Sequence, residues 1–304
     1  MQLLGKKKWL WLSISGLFIV AGIISLSVWG LKIGIDFTGG TLIEITGKEQ
    51  KISDEALESL KKDLRETGIE NVTSQVTGDG GVILKTETLT KEKEGRLPEK
   101  WEKHKVLISR FESVGPTVGN DLTQKAIQAV IIASIAIILY IAYSFRSVPR
   151  PASSWRFGFV AVFTLIHDIA VTIGLFAILS YYLGYEVNAL FITALLTIMG
   201  FSVHDTIVVF DRLRENMRHT PIATPQAFES STNEALTQTL NRSLNTSITT
   251  LLVLIALAFL GGDSLRPFVI TLIIGMSFGT YSSIFVATPL LVIWQQWLMR
   301  RQAA

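Results

Sequence analysis

Cysteine is absent from all 304 residues, which removes disulfides, thiolate catalysis and cysteine-type zinc sites together. The spacings GxxxxGK[ST], HExxH and GxSxG also occur nowhere, so the chain offers neither a phosphate-cradling loop nor a hydrolytic nucleophile or zinc site of known geometry. No metal is expected, and a membrane enzyme is disfavoured. A concentrated basic patch is missing too: the sequence pI is about 9.0, but the bases are spread over several short loops, as membrane orientation requires, and nucleic-acid binding is not expected. Most conspicuous is the lack of charge in blocks about 20 residues long, the length that crosses a bilayer core. With 49% hydrophobic residues and a mean hydropathy of +0.42, the chain reads as a polytopic α-helical membrane protein.

Lys6, Lys7 and Lys8 precede an uncharged run. It is too long for the core of a signal peptide and ends without a small-residue cleavage site, so residues 9–30 are expected to form a first transmembrane helix. Residues 1–8 are then cytoplasmic, and tryptophans mark both interfaces. Residues 31–120 hold 14 of the 28 Lys and Arg and 16 of the 25 Asp and Glu, which makes them a folded, water-exposed domain on the periplasmic side. Residues 41–46 alternate like a strand. Residues 53–68 carry a serine cap, acids in the first turn and Leu57, Leu60 and Leu64 on one helical face. Strands over 72–76 and 82–86 flank Gly78-Asp79-Gly80-Gly81, a hairpin signal. A helix over 97–105 and a strand from 106 to 111 complete the order β, α, β, β, α, β, which predicts one small α+β, ferredoxin-like domain between helices 1 and 2.

Five more spans follow, over 123–145, 157–180, 188–210, 242–260 and 267–295. Arg146, Arg150 and Arg156 mark one cytoplasmic loop. Arg212, Arg214 and Arg218 mark another, covering 211–241 and including a helix-compatible stretch from 224, and Arg300 and Arg301 mark the tail, 296–304. The loop 181–187 has no Lys or Arg and is external. Both termini are thereby cytoplasmic, with Arg266 as the one external short-loop base.

The polar residues inside these spans are the functional candidates. A carboxylate at a helix centre costs roughly 2.5–3.5 kcal/mol on insertion scales, so a retained one is paired or used. His167-Asp168 and His204-Asp205 repeat one dipeptide on neighbouring helices; the first is open between a secondary relay and a hydrogen-bonded tie between helices. Arg242, Asn245, Thr246 and Thr249 form one polar stripe, and Arg242 is expected to pair with Asp205. Thr193, Thr197, Gly200 and His204 share a face that points at His204 more directly than at Asp205. Gly39-Gly40 and Gly115-Pro116, at the two ends of the water-exposed domain, read as hinges, with Asp36 as a local turn former.

Four segments in order, Gly34-Ile35-Asp36-Phe37-Thr38-Gly39-Gly40, Val114-Gly115-Pro116-Thr117-Val118-Gly119, His204-Asp205-Thr206-Ile207-Val208-Val209-Phe210-Asp211-Arg212 and Asn241-Arg242-Ser243, resemble the SecF family. These are the smaller membrane subunits of the bacterial SecDF translocation accessory complex, within the resistance-nodulation-division superfamily. The resemblance implies a multi-pass inner-membrane protein working with SecD and the SecYEG translocon, in some cases with a YajC-type auxiliary subunit. It implies proton-motive-force-driven movement of exported, unfolded polypeptide, with protons as coupling ion and no other cofactor. By motif, the relay acid falls on Asp205 and the relay arginine on Arg242. The rival reading within the superfamily is half of a small-molecule or lipid exporter.

Overall fold

The computed structural model describes residues 4–47, 52–66, 69, 72–76, 80–89, 95, 101, 106–149, 151–219 and 222–303. In chain order these form α1 (Lys8–Trp29), the one-turn α2 (Ile35–Thr38), β1 (Gly40–Gly47), α3 (Asp54–Glu66), β2 (Thr73–Val76), β3 (Val82–Thr86), β4 (Val106–Val114), α4 (Pro116–Ser144), α5 (Ser154–Leu183), α6 (Ala189–His219), α7 (Pro225–Leu260), α8 (Arg266–Ser282), a π turn (Ser283–Ala287) and α9 (Thr288–Ala303). Six helical runs are long and apolar enough to cross a membrane: α1, α4, α5, α6, α7 and the run through α8, the π turn and α9.

Two compact units emerge. One comprises Met1–Lys32, Ala129–Tyr185 and Leu190–Ala304; the other comprises Ile33–Gln128 and Glu186–Ala189. In the helical unit α5, α6 and the α8–α9 run bury half or more of their apolar stretch, whereas α1, α4 and α7 leave most of theirs uncovered. Glycines permit the closest approach: a Cβ on Gly174 of α5 would lie 2.3 Å from the Gly22 Cα of α1. Ser25 donates to the Gly174 carbonyl at 2.7 Å across the same crossing. Gly275 and Gly279 of α8 likewise admit Ile198 and Ser202 of α6, a small-residue ridge of the kind that lets membrane helices pack. Phe145, Phe157 and Phe210 fill the core near the far ends of α4 and α6. Trp9, Trp155 and Trp297 are exposed at one end of the helices and Trp29 stacks on Tyr181 at the other, two aromatic girdles.

Helix extends beyond the charged residues at one boundary. Residues 211–241, expected as a cytoplasmic loop with a helix-compatible stretch from 224, are mostly helix: α6 runs on to His219 and α7 begins at Pro225, capped by Thr224. The arginines after residue 211 mark where hydrocarbon ends, and a helix is free to continue beyond it. At 1.5 Å per residue the 36 residues of α7 reach about 54 Å, well past a bilayer core of about 30 Å.

The other unit holds a four-stranded antiparallel sheet in the order β2-β3-β1-β4. That order is the one a split β-α-β arrangement requires. Ile43 and Ile45 of β1, Leu84 of β3, and Leu60 and Leu64 of α3 are fully buried in its core. Ser53 caps α3, its Oγ accepting from the Ala56 amide at 3.2 Å. The expected hairpin residues Gly78-Asp79 and most of the expected helix over 97–105 lie outside the described residues.

Candidate functional site: buried acids in the helical unit

Asp205 lies on α6 between apolar layers, with 4% of its surface exposed. The hydroxyls of Ser243 on α7, Thr280 on α8 and Ser283 in the π turn stand around it. None completes a hydrogen bond to Oδ2, which is buried without a partner, as are Ser243 Oγ and Thr206 Oγ1. An unsatisfied buried polar atom costs roughly 1–3 kcal/mol, and an unpaired charge considerably more. Beside this group Ser247 and Thr280 share a hydrogen bond of 2.6 Å. The π turn widens the last helix here: Thr288 Oγ1 donates to the Ser283 carbonyl five residues back, at 2.9 Å. Such turns recur where a helix has been adapted to a site.

Asp168 is the opposite case. It is fully buried and fully satisfied. His167 Nδ1 meets Oδ1 at 2.8 Å, and Oδ2 accepts from Ser202 Oγ at 2.5 Å and from Ser282 Oγ at 2.7 Å. His167 Nε2 in turn pairs with Ser15 Oγ. One acid and its histidine thus join α1, α5, α6 and α8. Ser282 and Ser283 are neighbours in sequence, so one end of α8 serves both acids.

Arg242 is a correction. It forms no ion pair with Asp205, although both residues are described. The reason is rotational. Successive residues on a helix differ by about 100°, and α7 turns Ser243, Ser247 and Leu254 inward. Arg242, Asn245, Thr246 and Thr249 therefore lie on an exposed face. His204 is exposed as well, with Thr193, Thr197 and Gly200, while Asp205 one position on points into the bundle. The threonines satisfy themselves: Thr197, Thr246 and Thr249 donate to carbonyls four residues back at 2.8–3.0 Å. The side chains of His204, Arg242 and Asn245 make no hydrogen bond to any described residue.

The two glycine-rich segments meet in the sheet-containing unit. Gly39 and Gly40 have φ of +73° and +136°, values that favour glycine. A Cβ on Gly39 would lie 3.2 Å from Pro116 Cα, and one on Gly119 would lie 3.0 Å from the Gly39 amide nitrogen. Gly115, by contrast, has open space around it. The expected hinges at Gly39, Gly40, Gly115 and Pro116 are therefore one junction, where any bending involves both chain segments.

Asp36 is more than a turn former. Its Oδ2 accepts the amide of Ala189, the first residue of α6, at 2.9 Å and 153 residues away. The Gly34 amide donates to the Val187 carbonyl at 2.8 Å, and Lys85 of β3 pairs with Glu186. Sequence reading missed this contact because no local period links residues so far apart. The inward serines Ser202, Ser243, Ser247 and Ser282 left a visible signal, small hydroxyl residues in apolar runs, but only the packing selects their faces.

The family described as protein export membrane protein SecD/SecF, C-terminal, matches residues 96–297, and the SecD/SecF GG motif matches residues 24–50. A protein translocase subunit SecF from Thermobaculum terrenum is 41% identical, over 93% of this chain and 90% of that protein. A second, from Anaerolinea thermophila, is 38% identical, over 97% and 94%. A crystal structure of SecDF from Thermus thermophilus, described as a translocon-associated membrane protein, superposes with a TM-score of 0.79 at 30% identity. The similarity covers 97% of this chain and 39% of that one.

Proposed function

The chain belongs to the SecD/SecF family of protein export membrane proteins, and from that premise we propose that it is the SecF-type half of a proton-driven assembly assisting polypeptide export. The other half is a SecD-type subunit, and the pair works beside the SecYEG translocon, with a YajC-type subunit as a further partner. The chain sits in the bacterial inner membrane with both termini cytoplasmic and the sheet domain periplasmic, where the unfolded exported polypeptide is handled. Protons are the coupling ion.

One observation carries this reading: Asp205 is a buried acid whose Oδ2 has no partner, in a bundle whose other buried acid, Asp168, is fully hydrogen-bonded. A neutral carboxyl fits among the hydroxyls of Ser243, Thr280 and Ser283 at tolerable cost. Loss of the proton leaves a charge there with no ion pair to any described residue, and the surrounding helices must then rearrange or admit water. A proton crossing 100 mV supplies about 2.3 kcal/mol, enough to bias such an equilibrium roughly fifty-fold. His167 and Asp168 serve as a tie between helices, since every partner they need is already in place. Arg242, His204 and Asn245 face the SecD-type half. There Arg242 has an acid of the partner within reach and takes part in the relay from that side, while bending at the Gly39–Pro116 junction leaves the periplasmic domain free to follow. No observation favours the exporter alternative.

The test is Asp205→Asn in the complex with its SecD-type partner, reconstituted in vesicles with the translocon. Assembly should be preserved, while the potential-dependent stage of export falls at least tenfold. Full retention of that stage would remove Asp205 from the mechanism.

A further inference from the structure

A relay acid inside a bundle does work only if some rigid part carries its change of state to the domain that handles the polypeptide. The junction of Gly39, Gly40 and Pro116 is suited to flexing, not to transmission. Two helices, α4 and α6, run unbroken from that unit into the bundle, and α6 is the one that carries Asp205. Asp205 lies sixteen residues beyond Ala189 on this one helix, about 24 Å at 1.5 Å per residue. A helix is stiff along its axis, so movement at Asp205 arrives at its first turn.

The start of α6 and the residues leading into it are held three ways. Asp36 Oδ2 accepts the Ala189 amide at 2.9 Å, placing a negative charge at the positive end of the helix. Lys85, whose strand neighbours are Leu42 of β1 and Thr73 of β2, pairs with Glu186 just before α6. Ile33 forms an isolated parallel bridge with Val187, and the Gly34 amide donates to the Val187 carbonyl at 2.8 Å. A side chain at Gly34 would stand 3.1 Å from that carbonyl oxygen, so glycine allows the approach without displacing the loop. Residues Glu186–Ala189 accordingly belong to the same compact unit as the sheet. α6 itself brings no acid to its first turn.

We infer that Asp36 is a positioning residue for the transport cycle, which, with the Lys85–Glu186 pair, clasps the start of the relay helix so that a change at Asp205 moves the sheet domain. The inference rests on the relay reading of Asp205 and adds residues that the relay itself does not use. Weakening the clasp should uncouple the two events, so that protons still move while the domain no longer follows.

The experiment uses the complete complex with its SecD-type partner in vesicles, reading proton flux and potential-dependent export separately, each normalised to assembled complex. Asp36→Asn and Lys85→Glu should each reduce potential-dependent export at least fivefold and leave proton flux within twofold of the parent. The swap Lys85→Glu with Glu186→Lys restores the pair with reversed sign and should recover at least half of the export, which a general loss of folding would not allow. Unchanged export in Asp36→Asn and Lys85→Glu would overturn the clasp. So would a parallel loss of flux and export, or a swap that recovers nothing. Asp205→Asn separates the two readings: if it leaves export intact the relay fails, and if it abolishes export while the clasp variants are normal, the clasp alone fails.

Discussion

At the scale of single residues the two aspartates show how placement divides labour. Asp168 has a donor for each oxygen and stitches helices together; Asp205, also buried, has an oxygen with none. An acid in an apolar run announces itself, so Asp205 was readable from sequence. Its neighbours were not. Arg242 and Ser243 differ by one position and 100°, and only packing against α8 decides which of them faces the acid. The Asp36 contact had no sequence signature at all. The least yielding residue-level constraint is the crossing of Gly22 and Gly174, where backbone meets backbone. Gly174→Ala places a methyl 2.3 Å from the Gly22 Cα, and with backbone on both sides α1 and α5 must separate. Overpacking of this kind costs about 1–3 kcal/mol. The expected outcome is a lower thermal midpoint of the purified chain in detergent and loss of the Ser25–Gly174 hydrogen bond, whereas Gly16→Ala, with open space around it, should leave the midpoint unchanged.

At the scale of elements, periodicity and composition carried far. Apolar length located the spans, and alternation with turn signals located the strands, giving the β2-β3-β1-β4 sheet without any long-range information. The extent of the helices outside the membrane was only partly legible, since charge marks where hydrocarbon ends and not where a helix does. α6 and α7 run past their arginines because outside hydrocarbon a helix needs only good formers and a cap, and Thr224 provides the cap for α7, accepting from the Ala227 amide at 3.1 Å. The π turn was invisible for a different reason: Ser283–Ala287 has the composition of any apolar helix, and the extra residue shows only in backbone hydrogen bonds. A cap that was legible makes a checkable element-scale prediction. Ser53→Ala removes the acceptor for the Ala56 amide and should destabilise the first turn of α3 by about 1 kcal/mol. Amide hydrogen exchange of the intact chain should then quicken over the first turn of α3 several-fold, with β1 unaffected.

At the scale of the whole molecule the decisive feature is the exposed polar side of α6 and α7. His204, Arg242 and Asn245 have no partner of their own among the described residues, and hydrocarbon offers none. On the proposed reading a SecD-type half supplies what is missing. A photoreactive side chain at Asn245 or Thr249 should therefore form an adduct with the SecD-type subunit. The same group at Leu244, exposed on α7 about 100° from Asn245 and about 140° from Thr249, should label lipid instead. Equal labelling from both positions would mean that the subunits meet elsewhere. The same polar flank also bears on synthesis. A copy made in excess of its companion is stranded with one wet side in an oily solvent, and it must find a mate, fold that side against another copy of itself, or be degraded. On the proposed pairing, matched production of the two halves is then a condition for keeping this one in its working form, set by three side chains with no partner among the described residues.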